Sequence, residues 1–145
     1  MLVKKEGVKQ IRTSNSKFAI HMRVLIVDDQ PIFRQHLRDL LIRGGFVWVV
    51  ETGDIPTAVK AAQKQNFGLA VVDVMLPGVN GIEGVRRLHA IAPEMRVIVV
   101  SAYSNSTDFL RQAALAAGAE AFYSKEQLAP ALLATWKEAP QQEET

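Results

Sequence analysis

The sequence predicts an α/β domain built on one doubly wound, five-stranded parallel sheet with five helices. Two observations support this fold class. Five short apolar segments alternate with five segments in which apolar residues recur every three or four positions, the pattern of strands that alternate with amphipathic helices. The segment Leu69–Val72 is apolar without alternation, as expected when helices cover both faces of a sheet. This order of elements implies parallel strands joined by right-handed crossovers.

The first predicted helix has clear boundary signals. It begins at Pro31, because a proline at the first helical position loses no hydrogen bond. It ends before Gly44-Gly45, since glycine accepts the left-handed conformation of a helix stop. In the first half of the chain the predicted strands are Arg23–Val27, Phe46–Val50 and Leu69–Val72, and the predicted helices are Pro31–Arg43 and Ile55–Gln65.

The second half of the chain repeats the alternation. A loop with proline and glycine, Leu76–Gly81, leads into a helix that ends at Ile91. A polar tail, Ala139–Thr145, closes the chain and is expected to fray. The remaining predicted elements are the strands Arg96–Val100 and Ala119–Tyr123 and the helices Ser106–Ala117 and Gln127–Lys137.

The 145 residues are expected to form one domain, residues 22–138, between an N-terminal extension (1–21) and a tail (139–145). The extension has five basic residues against Glu6, a net charge of +4. The whole chain nets +2, so the remainder nets −2. A segment this polar is expected to be disordered or adventitious, with Met22 as a plausible start; a basic arm that touches a partner is the alternative.

Composition excludes several classes of protein. The chain has no cysteine, which excludes disulfides and thiolate metal sites and suits a cytoplasmic protein. It has no run of about 18 apolar residues, so no membrane span is expected. The sequence pI of about 9.0 comes largely from the extension, and a domain that nets −2 without a recognition helix is not expected to bind nucleic acid directly.

Reactive or charged residues stand at the ends of four predicted strands. They are Asp28-Asp29, Asp73, Ser101 and Lys125. In an open parallel sheet the carboxyl ends of the strands meet at one rim, where ligands bind. Two like charges about 4 Å apart repel by on the order of 4 kcal/mol at an effective dielectric near 20. We therefore expect a divalent cation and the lysine to neutralise the carboxylates, and all-oxygen ligands favour Mg²⁺.

This set of residues suits transfer of a phosphoryl group to a carboxylate. Asp73 is the best candidate nucleophile because it follows the central apolar strand, and Asp28 and Asp29 would then hold the metal. The alternative for any one of these acids is a helix cap or a solvated side chain.

Four stretches of this sequence form a recognisable set: Val24–Asp29, Val71–Gly78 with Gly81, Val99–Ala102, and Ala117–Ala119 through Lys125. Taken together, they resemble response regulator receiver domains over about Arg23–Lys137. The resemblance implies a flavodoxin-like fold with strand order 2-1-3-4-5. It also implies Mg²⁺-dependent phosphorylation in a cytoplasmic two-component system.

The resemblance assigns roles to seven residues. They are Asp73 as phosphoacceptor, Asp29, Asp28 and the Met75 carbonyl at the metal, Lys125 and Ser101 at the phosphoryl group, and Phe122 as the aromatic switch. Asp28 is expected to act mostly through water, and Phe122 to turn inward on phosphorylation. Glu126 follows Lys125 in this chain, whereas the family often has proline at that position.

Partners follow from the same resemblance. A histidine kinase or a histidine phosphotransfer protein would donate the phosphoryl group, and a downstream target protein, with a homodimer as a further possibility, would read the switched surface. The chain is expected to be no enzyme beyond assisting its own phosphorylation and dephosphorylation. Because Met75 and Tyr103 stand at positions that influence attack by water, and Met75 cannot orient a water molecule, we predict slow self-dephosphorylation.

The sequence also bears on three alternative functions. A haloacid-dehalogenase-type phosphatase needs a second aspartate two residues after its nucleophile, where this chain has Met75, which cannot move a proton. A receiver-like module that binds proteins without phosphorylation is the second alternative. The third is that the chain is the receiver fragment of a longer DNA-binding regulator.

Overall fold

The protein is represented by a computed structural model that describes residues 2–5, 8–11, 19–102, 108–128 and 130. The strands are β1 (Leu2–Lys5), β2 (Val8–Ile11), β3 (Val24–Val27), β4 (Trp48–Thr52), β5 (Leu69–Asp73), β6 (Arg96–Ser101) and β7 (Ala121–Ser124). The helices are α1 (Pro31–Arg43), α2 (Ile55–Lys64), α3 (Gly81–Ile91) and α4 (Asp108–Ala117). Residues 125–128 and 130 are helical as well; most of the predicted last helix lies outside the described residues.

The predicted doubly wound sheet is confirmed. The described strands form one sheet in the order β1-β2-β4-β3-β5-β6-β7. Five neighbouring strands of this sheet pair in parallel, in the order β4-β3-β5-β6-β7. They are the five predicted strands in the predicted order 2-1-3-4-5. The carboxyl ends of all five therefore lie at one rim of the sheet.

The N-terminal extension differs from the sequence-based expectation. The extension was predicted to lack order, yet β1 and β2 form an antiparallel hairpin. β2 continues the sheet by pairing antiparallel with β4, in the register Val8↔Val50. Without the hairpin, β4 would be an edge strand with a row of unpaired N–H and C=O groups. The average composition of residues 1–21 does not reveal two segments of four residues that can pair with such an edge.

The fold also begins earlier than the predicted boundary at Met22. Ala19 and Ile20 are buried. Ile20 forms a parallel bridge with Phe46, and its N–H donates to the Gly45 carbonyl at 2.8 Å. Residues 19 and 20 thus pack with the domain, which includes part of the segment that is predicted to precede it.

The core has two layers, one on each face of the sheet. Strands β3 and β5 are buried at every position, as predicted for strands with helices on both faces. Leu25 and Val27 belong to the layer under α2, α3 and α4, whereas Val24 and Ile26 belong to the layer under α1. This alternation follows from the two-residue period of a strand. Because both faces of the sheet are covered, the ends of the strands rather than their faces meet the solvent.

Side-chain caps define the starts of two helices. The Asp54 carboxylate accepts a hydrogen bond from the Thr57 amide at 2.8 Å at the start of α2. The Asn80 side chain accepts one from the Glu83 amide at 3.0 Å at the start of α3. Each cap satisfies an amide that has no partner inside the helix. Within the described part of the chain, every helix is too short or too polar to cross a membrane.

Candidate functional site

The strand ends bring the predicted site residues together. Asp28 directly follows β3, Asp73 and Ser101 are the last residues of β5 and β6, and Lys125 directly follows β7. The ladders set these ends side by side, because Asp73 is in register with Val100 and β3 is in register with β5 through its last residue. One rim of the sheet therefore carries acids, a hydroxyl and an ammonium group.

Three carboxylates at this rim form a cluster. Asp28, Asp29 and Asp73 each place a carboxylate oxygen within 4.8 Å of the oxygens of the other two. Asp28 and Asp73 are only 1% and 3% exposed, whereas Asp29 is exposed. Close acids need a counter-charge, and a set of oxygen donors with an open, exposed member suits Mg²⁺, which keeps several waters. The cluster therefore fits a divalent cation.

Asp73 lies in an environment that disfavours its charged form. Burial raises the pKa of the Asp73 carboxyl, the neighbouring charge of Asp28 raises it further, and Lys125 and the Met75 amide oppose this. The Met75 amide donates to Asp73 Oδ1 at 3.2 Å, and Lys125 Nζ lies 3.3 Å from Oδ2. A cation beside Asp73 would favour its ionised, nucleophilic form.

The ammonium group of Lys125 bridges the acids. It lies 2.7 Å from Asp28 Oδ2 and 3.3 Å from Asp73 Oδ2. It also donates to Gln30 Oε1 at 3.2 Å and lies 4.3 Å from the centroid of the Phe33 ring. Gln30 and Phe33 were not predicted as site residues. Their one sequence signal is their position, just after the aspartate pair and in the first turn of α1.

Asp28 is held on all sides. Its amide donates to the Thr52 carbonyl at 3.0 Å, and its Oδ1 accepts from the Gln30 amide at 2.8 Å. The Asp28 carbonyl accepts a hydrogen bond from Nη1 of Arg34. Arg34 is a further residue that sequence reasoning missed, because it stands on a helix face among other charged residues. The first aspartate of the pair is therefore fixed at both its main chain and its side chain.

The loop from β5 to α3 passes close to Asp73. A Cβ atom on Gly81 would lie 2.0 Å from the Asp73 carbonyl oxygen, so a residue larger than glycine requires the main chain to shift. The Gly81 amide donates to the Val74 carbonyl at 2.9 Å. Met75 lies on this loop with a side chain that is 62% exposed. Its predicted contribution to the metal through the carbonyl stays a prediction.

Ser101 and Phe122 lie in the interior beneath the rim. Ser101 is fully buried at the end of β6. Phe122 is 1% exposed, and the guanidinium of Arg111 lies 5.3 Å from its ring centroid while donating to its carbonyl at 3.0 Å. The ring thus already points inward in the structure, which is the position expected after switching. Tyr103 lies outside the described residues.

Comparison with known proteins gives concordant results. The family model of the response regulator receiver domain matches residues 24–137. A putative transcriptional regulator of Pseudomonas aeruginosa is 37% identical over 113 residues, covering 77% of this chain and 54% of that protein. The chemotaxis protein CheY of Bacillus subtilis is 30% identical over 103 residues, covering 71% of this chain and 84% of that protein.

The solved structures agree. The response regulator domain of Thermotoga maritima CheB superposes with a TM-score of 0.70 at 29% identity, covering 82% of this chain and 96% of that domain. The chain spans about half the length of the transcriptional regulators it matches.

Proposed function

Because this chain belongs to the response regulator receiver domain family, we propose that it is a two-component phosphorylation switch whose phosphoacceptor is Asp73. The observation that carries the proposal is the placement of the Lys125 ammonium between the buried carboxylates of Asp28 and Asp73 at the end of the sheet. An ammonium in this position can neutralise an anion that forms on Asp73. The switch would act in the cytoplasm together with its kinase.

The acidic cluster would hold Mg²⁺. Asp29 and Asp73 would supply carboxylate oxygens directly, Asp28 would act mostly through water, and the Met75 carbonyl would complete the protein ligands. When bound, the ion neutralises the charge of phosphoryl oxygens. The oxygen-only donor set and the exposed side chain of Asp29 support this assignment.

The transfer step is an in-line displacement at phosphorus. An oxygen of the Asp73 carboxylate attacks the phosphoryl group carried on a histidine of a kinase or a phosphotransfer protein. The P–N bond breaks, and the released imidazole nitrogen takes up a proton from solvent. Asp73 becomes an acyl phosphate. Lys125, no longer attracted by a bare Asp73 carboxylate, pairs with a phosphoryl oxygen, and the Ser101 hydroxyl donates to another.

The readout would be a change at the surface formed by α4, β7 and the helical residues that follow β7. Ser101 is connected to this surface because it is in register with Ser124 at the end of β7. Phe122 and Arg111 join β7 to α4. A target protein that binds one arrangement more tightly than the other would sense the phosphorylation, and a homodimer through the same surface is a further possible readout.

A second candidate function concerns the whole protein. Several relatives are transcriptional regulators of which this chain covers about half. This supports a role as the receiver part of a longer DNA-binding regulator, in which another domain would contact the DNA. The phosphorylation chemistry at Asp73 would be the same in either context.

Intact-mass measurement tests the proposal. The full chain is incubated with acetyl phosphate with and without Mg²⁺, beside the Asp73→Asn variant, which keeps the size of the side chain but cannot form an acyl phosphate. We expect a Mg²⁺-dependent gain of one phosphoryl group that the variant lacks. Absence of any gain in folded protein would contradict the proposal and favour a module that binds partners without phosphorylation.

A further inference from the structure

We propose that Arg34 is a positioning residue for the acidic cluster, and that Glu51 holds Arg34 in place. This inference rests on the proposed function in one respect, namely that the cluster binds Mg²⁺. Within the described part of the chain, Arg34 makes no ion pair with the cluster carboxylates; it contacts the main chain of Asp28. It would act by fixing the peptide that links Asp28 to Asp29.

Arg34 contacts the main chain of Asp28 directly. Nη1 of Arg34, on α1, donates to the carbonyl oxygen of Asp28. Asp28 is almost fully buried, and a buried carbonyl without a partner is costly. This carbonyl belongs to the same peptide plane as the Asp29 amide. Its orientation therefore sets the direction in which the main chain presents Asp29.

The position of the Asp29 carboxylate depends on the main chain of Asp29. Its side chain is exposed, and no hydrogen bond or ion pair to its carboxylate is found within the described part of the chain. Asp28, in contrast, has both carboxylate oxygens engaged by Gln30 and Lys125. The orientation of the Asp28 carbonyl, rather than a contact of the Asp29 side chain, thus constrains where the Asp29 carboxylate lies.

Arg34 is itself paired with Glu51. Its Nε lies 3.5 Å from Oε1 of Glu51, and Nη1 of Arg38 lies 3.0 Å from Oε2 of the same carboxylate. Glu51 is on β4, in register with Ile26 of β3. The Arg34 side chain is only 22% exposed, so water competes little with Glu51 and Asp28 for the guanidinium. A carboxylate anchored in the sheet therefore orients the guanidinium that reaches the Asp28 carbonyl.

Removal of the Arg34 guanidinium has opposite expected effects on cation affinity, depending on whether Arg34 acts through its charge or by positioning Asp29. If the guanidinium acted only through its charge, its removal would strengthen binding of a cation nearby. If it positions Asp29, its removal weakens binding despite the lost positive charge. Partners in the outer shell of metal ligands typically contribute about 10- to 100-fold in metal affinity. The sign of the change therefore separates the two roles.

The test measures Mg²⁺ binding to the full chain by titration calorimetry. The variants are Arg34→Gln and a matched control, Arg38→Gln, which removes the same charge and the same Glu51 partner but leaves the Asp28 carbonyl bond. We expect Arg34→Gln to raise the Kd for Mg²⁺ about tenfold or more and Arg38→Gln to leave it within about twofold. Equal affinities in the two variants, or tighter binding by Arg34→Gln, would overturn the inference.

Arg34→Lys serves as the second variant if Arg34→Gln does not fold, with folding monitored by thermal unfolding. The lysine keeps the charge but lacks the planar guanidinium that contacts Glu51 and the Asp28 carbonyl at the same time. We therefore expect weaker Mg²⁺ binding than in the unaltered chain. Unchanged affinity in this variant would refute the positioning role. If the unaltered chain binds no Mg²⁺, the metal site in the proposed function fails as well, which distinguishes that failure from loss of the positioning role alone.

Discussion

At the scale of single residues, the ammonium group of Lys125 is surrounded by competing acceptors. Oxygens of Asp28, Gln30 and Asp73 lie within 3.3 Å of Nζ, and the face of the Phe33 ring lies 4.3 Å away. An ammonium has three N–H donors, so these contacts already use its capacity. A phosphoryl group on Asp73 must therefore displace at least one of them. The contacts of Lys125 tie the chemistry of Asp73 to the start of α1.

The exposed side chain of Met75 leads to a prediction about the lifetime of the phosphorylated state. Met75→Asn is expected to speed the loss of the phosphoryl group, because an amide can orient water beside Asp73 and a thioether cannot. One hydrogen bond of about 1 kcal/mol corresponds to roughly a fivefold faster rate. The decay of the phosphorylated protein is followed by intact mass after removal of the phosphodonor.

Met75→Leu is the matched control for this prediction, since it changes the side chain without adding a polar group. We expect its decay rate to equal that of the unaltered chain. Because Met75 is 62% exposed, neither variant should disturb the core. An unchanged rate in Met75→Asn would contradict the predicted effect of Met75 on the lifetime of the phosphorylated state.

At the scale of the elements, the helix starts decide how the loops meet the rim. α3 begins at Gly81, directly against the Asp73 carbonyl, where a Cβ atom would not fit. Asn80 caps this helix with a neutral side chain, whereas Asp54 caps α2 with a carboxylate. Both caps perform the same task, but only one of them titrates.

The Asp54 cap makes a pH-dependent contribution to stability. Hydrogen bonds from the side chain and main chain of Thr57 lower the pKa of Asp54 below its ordinary value of 3.8. For a group whose pKa is lower in the folded state, the stabilisation is present above the unfolded pKa and is lost as the pH falls through the folded pKa. We expect Asp54→Ala to cost about 1 kcal/mol at neutral pH and progressively less below the ordinary pKa, as measured by urea unfolding.

Asn80→Ala provides the comparison for the cap on α2. It removes an equivalent hydrogen bond to the first turn of α3, so a cost of about 1 kcal/mol is expected. Because Asn80 does not titrate, this cost should stay constant over the same pH range. A cost of Asp54→Ala that is equally independent of pH would show that the charge of the cap contributes nothing.

At the scale of the whole molecule, the N-terminal segment is part of the sheet. β1 and β2 continue the parallel sheet beyond β4 with antiparallel pairing, and Ile20 bridges to Phe46 inside the layer under α1. The Met22 side chain packs over Gly68. Two buried residues, Ala19 and Ile20, therefore precede the first predicted strand.

Shortened chains test this contribution. Deletion of residues 1–21 removes Ala19 and Ile20, whereas deletion of residues 1–18 retains them. Burial of an isoleucine side chain contributes about 1.5–3 kcal/mol, so we expect the longer deletion to be less stable than the shorter one by about 2 kcal/mol. Urea unfolding of both chains measures the difference. Equal stability would mean that the bridge from Ile20 to Phe46 does not support the fold.

The parallel sheet and the meeting of acids at one rim could be predicted from residue patterns, and the resemblance to receiver domains supplied the strand order. Strand and helix periods are local, since the side-chain direction repeats every two or about 3.6 residues. The ends of parallel strands necessarily meet at one edge. Asp28, Asp73 and Lys125 could therefore be grouped from their positions at strand ends, and the resemblance to receiver domains added the role of each residue.

The sequence by itself thus determined the fold class and the acids at the rim, whereas the tertiary structure decided what surrounds them. Arg34 reaches Asp28 and Glu51 only because α1 packs over β3 and β4 in one particular register. The hairpin of β1 and β2 joins the sheet only because β4 presents an open edge. Such contacts join residues that are distant in sequence, and they depend on distances and orientations that no local period encodes. Local patterns specify the elements, and packing between the elements specifies the site.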